Sequence, residues 1–106
     1  MATGADMACV AEVRLYGALG LLLEDGEGVV HEGSTGCVAL RLQAGATVTD
    51  LLGVLAERYP HTGAIAAGEY AVIVLVDGRS VRPTEYTQTV LPDHTLVQLL
   101  EIYTGG

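Results

Sequence analysis

Lysine is absent from the 106 residues, and five arginines stand against thirteen Asp and Glu, a net charge of −8. Without a basic surface to neutralise phosphates, nucleic acid and anionic membrane are poor partners. Long apolar runs are missing as well: the longest, residues 71–76, falls far short of the ~20 residues that a membrane helix needs. Met1-Ala2-Thr3-Gly4-Ala5-Asp6 lacks the basic patch and following apolar stretch of a secretory signal, so a cytoplasmic chain is expected. Cysteine is scarce. Cys9 and Cys37 form no CxxC and have no histidine at metal-ligand spacing, which predicts two small reduced thiols, with a cross-strand disulfide as the other arrangement open to them.

Hydrophobic residues make up 50% of the chain, charged ones only 17%, and mean hydropathy is +0.41, the composition of a packed globule rather than an acidic tail. The length suits one small core and is too short for two. A single domain over residues 1–106 is expected, with residues 1–8 a flexible N-terminus and residues 104–106 an exposed tail.

Residues 10–16 alternate, with Ala11, Val13 and Leu15 on one side and Glu12 and Arg14 on the other, which predicts a half-buried strand. Val38, Leu40 and Leu42, opposed by Ala39, Arg41 and Gln43, predict a second strand able to pair with the first as a hairpin. The glycine-rich, acidic segment 17–36 between them reads as a long surface loop, with Leu21-Leu22-Leu23 able to extend the first strand. A helix follows. Thr47 caps it, Asp50 sits three residues on, Val48, Leu51, Leu52, Leu55 and Tyr59 share one face, and Pro60 ends it.

Residues 71–76, apolar at every position, read as a central strand buried on both faces. Asp77-Gly78 supplies the positive φ angles of a tight turn into a short return strand ending at Pro83. Residues 84–92 form a connection, and residues 95–103 a last strand, with Val97 and Leu99 on one face and Leu96, Leu100 and Ile102 on the other. The order strand, strand, helix, strand, short strand, strand gives a mixed sheet of four to five strands with one main helix packed across it. This is the α+β class, a β-grasp.

Little in the chain suits catalysis. His31, His61 and His94 are too widely spaced for a metal site, so no metal is expected. No serine sits in a nucleophile elbow. GxxxxGK[ST] and GxGxxG cradles are missing, and Gly26-Glu27-Gly28 is set among acidic residues that repel phosphate. Asp77 reads as a turn residue rather than a general base. Two cysteines are too few for an iron–sulfur cluster of the four-cysteine kind.

The hairpin, the stretch Ala44-Gly45-Ala46-Thr47-Val48-Thr49-Asp50-Leu51-Leu52 continuing to Leu55-Ala56-Glu57-Arg58-Tyr59-Pro60, the turn Val76-Asp77-Gly78-Arg79 and the terminal Thr104-Gly105-Gly106 resemble the ubiquitin-like sulfur carriers of the MoaD/ThiS family. The likeness spans most of residues 10–106. Two departures stand out: a longer loop between the first two strands, and Glu101-Ile102 where many members carry Pro-Pro.

The resemblance implies that the chain is a substrate and co-substrate of other enzymes rather than a catalyst. An E1-like adenylyltransferase would place AMP from ATP on the carboxyl of Gly106. A sulfur donor such as a persulfide or sulfide would then convert it to a thiocarboxylate, which a sulfur-accepting synthase consumes. ATP is the activating enzyme's reagent, and the carrier itself binds no cofactor. Glycine at 105 and 106 suits this role, because a backbone without Cβ can thread a narrow channel. Thr104-Gly105-Gly106 reaches at most ~10 Å, at ~3.3–3.6 Å per residue, so the globule must dock closely. By position, Leu96, Leu100, Ile102 and Tyr103 are the expected partner-binding residues. Other roles stay open: a ubiquitin-like modifier joined through Gly106 to lysines of target proteins, the small subunit of a molybdopterin-synthase-like complex, or a binding module with an idle tail.

Overall fold

The structure, a computed structural model, describes residues 8–102. Strand β1 (Ala8–Leu15) buries Cys9, Ala11, Val13 and Leu15 and turns Val10, Glu12 and Arg14 to its other face, as the alternation predicts. β3 (Thr35–Gln43) does the same with Val38, Leu40 and Leu42, and pairs antiparallel with β1 from Leu15↔Gly36 to Ala8↔Gln43. The predicted pairing of these two strands is therefore present.

The segment between them is more than a surface loop. Gly17 adopts φ +61°, which ends the extended backbone after Leu15, so Leu21-Leu22-Leu23 do not prolong β1. A 3-10 helix over Gly17–Leu22 and the following residue instead bury Leu19 and Leu23, leaving Leu21 76% exposed. Gly20 is wedged against the neighbouring turn, where a Cβ would lie 1.8 Å from the Ser34 carbonyl oxygen. A three-residue strand, β2 (Val30–Glu32), then adds to the edge of β3. This short strand makes the sheet six-stranded, one more than the four to five expected.

Helix α1 (Val48–Arg58) begins with the predicted capping box: Asp50 N–H donates to Thr47 Oγ1 at 3.3 Å, and Thr47 N–H donates to the Asp50 carboxylate at 2.9 Å. Val48, Leu51, Leu52 and Leu55 are buried in one cluster with Val13, Leu40, Val97 and Leu99. The helix thus covers one face of the sheet. A 3-10 turn (Pro60–Thr62) and a short second helix, α2 (Gly63–Ala66), follow, with Ile65 plugging into the core.

β4 (Val72–Val76), β5 (Arg79–Val81) and β6 (Thr95–Glu101) complete the sheet in the order β2-β3-β1-β6-β4-β5. The all-apolar β4 is neither central nor buried on both faces. β1 and β6 hold the centre, while β4 lies one strand from the edge. Only one side of the sheet carries the helix, so Val74 and Val76 are buried whereas Ile73 stays 39% exposed. Asp77 and Gly78 do form the tight turn, with φ +50° and +86°. After β5 comes a 3-10 turn (Pro83–Glu85), and Val90 bridges to Thr47.

The thiols lie on opposite faces. Cys9 is paired with Leu42 on the helix side, and Cys37 with Arg14 on the open side, which excludes the cross-strand disulfide; both are free. Burial raises the Cys9 thiol above its ordinary pKa, and nearby Asp93 adds to the effect, so it stays protonated. Among the described residues no helix is long and apolar enough to cross a membrane.

Candidate functional site

β6 runs parallel to β1 on one side and antiparallel to β4 on the other. Its period of two sends Thr95, Val97 and Leu99 into the core and Leu96, Gln98 and Leu100 to the sheet face that no helix covers. The register fixes their neighbours. Leu100 lies opposite Ile73, Gln98 opposite Leu75, and Leu96 beside Glu12. An apolar strip therefore crosses two strands, made of Ile73, Leu75, Leu96 and Leu100.

Polar groups bound the strip. Gln98 Nε2 donates to Tyr16 Oη at 2.8 Å, which fixes both side chains beside Arg14, the register neighbour of Gln98. Arg14 Nε in turn donates to Glu12 Oε2 at 2.7 Å, a half-exposed pair that satisfies itself within β1. An apolar centre with a satisfied polar margin is the anatomy of a docking face.

The same strand carries the last described residues. Pairing between β1 and β6 stops at Leu15↔Leu99, where Tyr16 N–H donates to the Leu99 carbonyl at 3.0 Å. Beyond that point, among the described residues, β4 alone pairs with β6, and the last described ladder bond runs from Ile102 N–H to the Ala71 carbonyl at 2.8 Å. The final described residues thus overhang the centre of the sheet, anchored along one edge.

The start of β6 is clamped as firmly. Asp77 N–H donates to the Leu96 carbonyl, while the Asp77 carboxylate accepts from Leu96 N–H and from Thr95 Oγ1, each at 2.8 Å. These bonds, the Leu96 amide first, hold the Asp77 carboxyl below its ordinary pKa. Asp77 is a turn residue, as expected, and also a latch on the strand that carries the site. Asp93 acts similarly on β1: it accepts from Val10 N–H at 2.9 Å, and this bond lowers its pKa.

Of the residues expected to bind a partner, Leu96 and Leu100 come to the open side, whereas Ile102, just past the end of β6, lines a groove on the helix side. Tyr103 and the tail residues Thr104, Gly105 and Gly106 lie outside the described residues. Sequence reasoning missed Ile73 and Leu75, since an uninterrupted apolar run carries no mark of which alternate positions lack a covering layer. The histidines sit against carboxylates, His31 with Asp25 at 3.0 Å and His61 with Glu24 at 2.7 Å. Among the described residues no group of three or more His, Cys, Asp or Glu is placed to hold a metal ion.

Comparison with known proteins returns a family model described as the ThiS family, matching residues 31–106. The match begins in β2, so β1, at the centre of the sheet, lies outside it. No curated protein sequence matches the chain. Among solved structures, the chain is similar to the Haloferax volcanii HVO 2177 protein, with TM-score 0.69 and 22% identity over 94% of this chain and 89% of that one. It is also similar to small archaeal modifier protein 1 from Methanosarcina acetivorans, with TM-score 0.63 and 19% identity over 93% of this chain and 98% of that one. Both support the β-grasp fold.

Proposed function

The chain belongs to the ThiS family, and from that premise we propose that it is a ubiquitin-like sulfur carrier whose reactive group is the carboxyl of Gly106. The observation that carries this reading is the extent of the family match, which runs through the Gly105-Gly106 pair itself. The end of β6, held by β4, and the apolar strip beside it support the reading geometrically, since a partner seated on that strip lies next to the last described residues.

A carboxylate resists nucleophiles because its charge is delocalised and oxide is a poor leaving group. An E1-like adenylyltransferase would overcome this by forming the Gly106 acyl adenylate from ATP, releasing pyrophosphate. Hydrosulfide then attacks the acyl carbon and expels AMP, leaving a thiocarboxylate. With a persulfide as donor the first product is an acyl disulfide, and a second thiol must reduce it to free the thiocarboxylate. The sulfur is then passed to an accepting synthase. None of these steps requires a side chain of the carrier as acid, base or nucleophile. ATP belongs to the activating enzyme, and the compartment we propose is the cytoplasm.

Mass spectrometry tests the proposal. After incubation with ATP, an E1-like enzyme and sulfide, the chain should gain the mass difference between sulfur and oxygen, located at Gly106, and a variant with one residue appended after Gly106 should not. A chain that is never adenylated overturns the reading. A second reading is favoured by one observation, the similarity to a protein named as a modifier. Under it, the same adenylate ends in an isopeptide bond, and covalent adducts on lysines of other proteins appear in place of the sulfur product. The chain has no lysine, so it cannot build such chains on itself.

A further inference from the structure

Part of β3 has no strand on its outer edge. In β1 the Val10 carbonyl accepts from His94 N–H, and Tyr16 N–H donates to the Leu99 carbonyl, so the even-numbered residues of β1 turn their backbone groups toward β6. The odd-numbered ones face β3, opposite Gly36, Val38, Leu40 and Leu42. Cys37, Ala39, Arg41 and Gln43 therefore point their N–H and C=O groups to the other edge. β2 pairs along that edge only as far as Cys37, and the Gln43 carbonyl is taken by Ala46 N–H. Among the described residues, both backbone groups of Ala39 and Arg41 and the N–H of Gln43 have no ladder partner.

A groove of about 620 Å³ runs beside this edge, between the end of β3 and α1. Leu42 and Ala46 line it from the sheet, and Asp50, Gly53, Val54 and Glu57 from the helix. Their spacing of three, four and seven residues places those four on one stripe of α1. The middle of the stripe is small and apolar, and a Cβ added at Gly53 would meet nothing within 4 Å. A carboxylate stands at either end, the two ~10 Å apart along the axis at ~1.5 Å per residue. Both are exposed; Asp50 spends one oxygen on Thr47, and Glu57 forms no ion pair among the described residues.

We infer that this edge takes up an extended segment of a partner protein as an added strand, with an apolar residue facing the groove and an arginine two positions away on either side. Unpaired donors and acceptors that repeat every second residue are matched by an extended backbone, which presents the complementary row. On the groove face of that backbone, the apolar side chain meets Leu42, Gly53 and Val54. The arginines, ~13 Å apart at ~3.3 Å per residue, reach Asp50 and Glu57. On the other face stands exposed Arg41, which repels a base there. A second copy of this chain would bring the same acids and a charge of −8, and residues 1–7 contain Asp6 and no base. The edge lies two strands from β6, at the Ala8 end of β1, whereas β6 runs out past the Leu15 end. A partner held here leaves the open-face strip free, so the inference goes beyond the carrier reading.

The probe is the capped peptide Thr-Arg-Thr-Val-Thr-Arg-Thr, set against Thr-Thr-Arg-Val-Arg-Thr-Thr, which has the same composition and charge but puts its arginines on the other face. Amide NMR of the full chain should show saturable shifts at Ala39, Arg41, Gly53 and Val54 with the first peptide. The second should bind roughly five-fold more weakly, the loss expected for two part-exposed ion pairs. Hydrogen exchange at the Ala39 and Arg41 amides should be fast in the free chain and slow as the first peptide saturates. Gly53→Gln, which fills the groove from an exposed helix position, should weaken binding while amide shifts on β4 and β6 stay in place. Absent binding, equal affinities, or binding that leaves exchange at Ala39 and Arg41 unchanged overturns the inference. So does slow exchange at both amides without peptide: at every concentration it makes the chain's own residues the occupant, and when it grows with chain concentration, a second copy. Every arm is read on the carrier alone, so failure here is distinct from failure of adenylation.

Discussion

Gly20 and Gly53 lack a Cβ with opposite consequences. Gly20 is buried where the 3-10 helix meets the β2–β3 turn, and an added Cβ would meet Ser34 O at 1.8 Å and Leu15 O at 3.0 Å, both backbone atoms that cannot swing aside. Gly20→Ala should therefore destabilise the fold by roughly 3 kcal/mol or more, as overpacking against backbone does. Gly53 sits in the interior of α1 with nothing within 4 Å of a built Cβ, so Gly53→Ala should stabilise by up to about 1 kcal/mol through helix propensity. Urea midpoints of the two variants check both signs. Neither role was legible in the sequence. Gly20 reads as one more glycine of a loop, because the carbonyl that confines it comes from a turn fourteen positions on. Thr47 and Asp50, by contrast, were legible, since a capping box is written within four residues.

At the scale of elements, β6 carries the most information. Its alternation was readable, and within β6 the structure keeps it, with Val97 and Leu99 fully buried and Leu96 and Leu100 partly exposed on the other side. What β6 meets was not readable, because cross-strand neighbours follow from register and not from local pattern. Ile73 and Leu75 join the strip only through the Ile73↔Leu100 and Leu75↔Gln98 pairs. Leu100→Glu should lower the urea midpoint only modestly, since the side chain is partly exposed on the face that no helix covers. It should lower kcat/KM for adenylation by the activating enzyme about ten-fold or more, the loss expected of a central interface residue. Unchanged kcat/KM would remove the strip from the docking face. The segment 17–36 shows the reverse failure, where glycine and acidic residues suggest a solvated loop while Leu19 and Leu23 seal one end of the core.

Across the whole molecule, two carboxylates latch the central strands to distant segments: Asp77 to the start of β6, and Asp93 to Val10 of β1. Both have lowered pKa values in the folded chain, owing first to the backbone amides of Leu96 and Val10. A depressed pKa means that the folded state binds the proton less readily than the unfolded one. The latches thus contribute fully above the unfolded carboxylate range, near pH 4, and fade as the pH falls through the folded values. Asp77→Asn should cost stability at neutral pH, with the gap to the unaltered chain closing on acidification. Urea midpoints between neutral and acid pH follow this, and a gap that widens in acid would contradict the assignment. The −8 charge acts in the same frame, since it disfavours phosphate-rich partners.

Sequence by itself determined the fold class, the capped helix, the alternating strands β1, β3 and β6, the Asp77-Gly78 turn and the glycine pair, because each is encoded by residues a few positions apart. Tertiary structure decided which strands stand at the centre, which face of β4 remains open, and that Cys9 and Cys37 point to opposite sides. Those outcomes depend on which distant segment comes to lie against each residue, and burial is a property of that neighbour as much as of the residue itself.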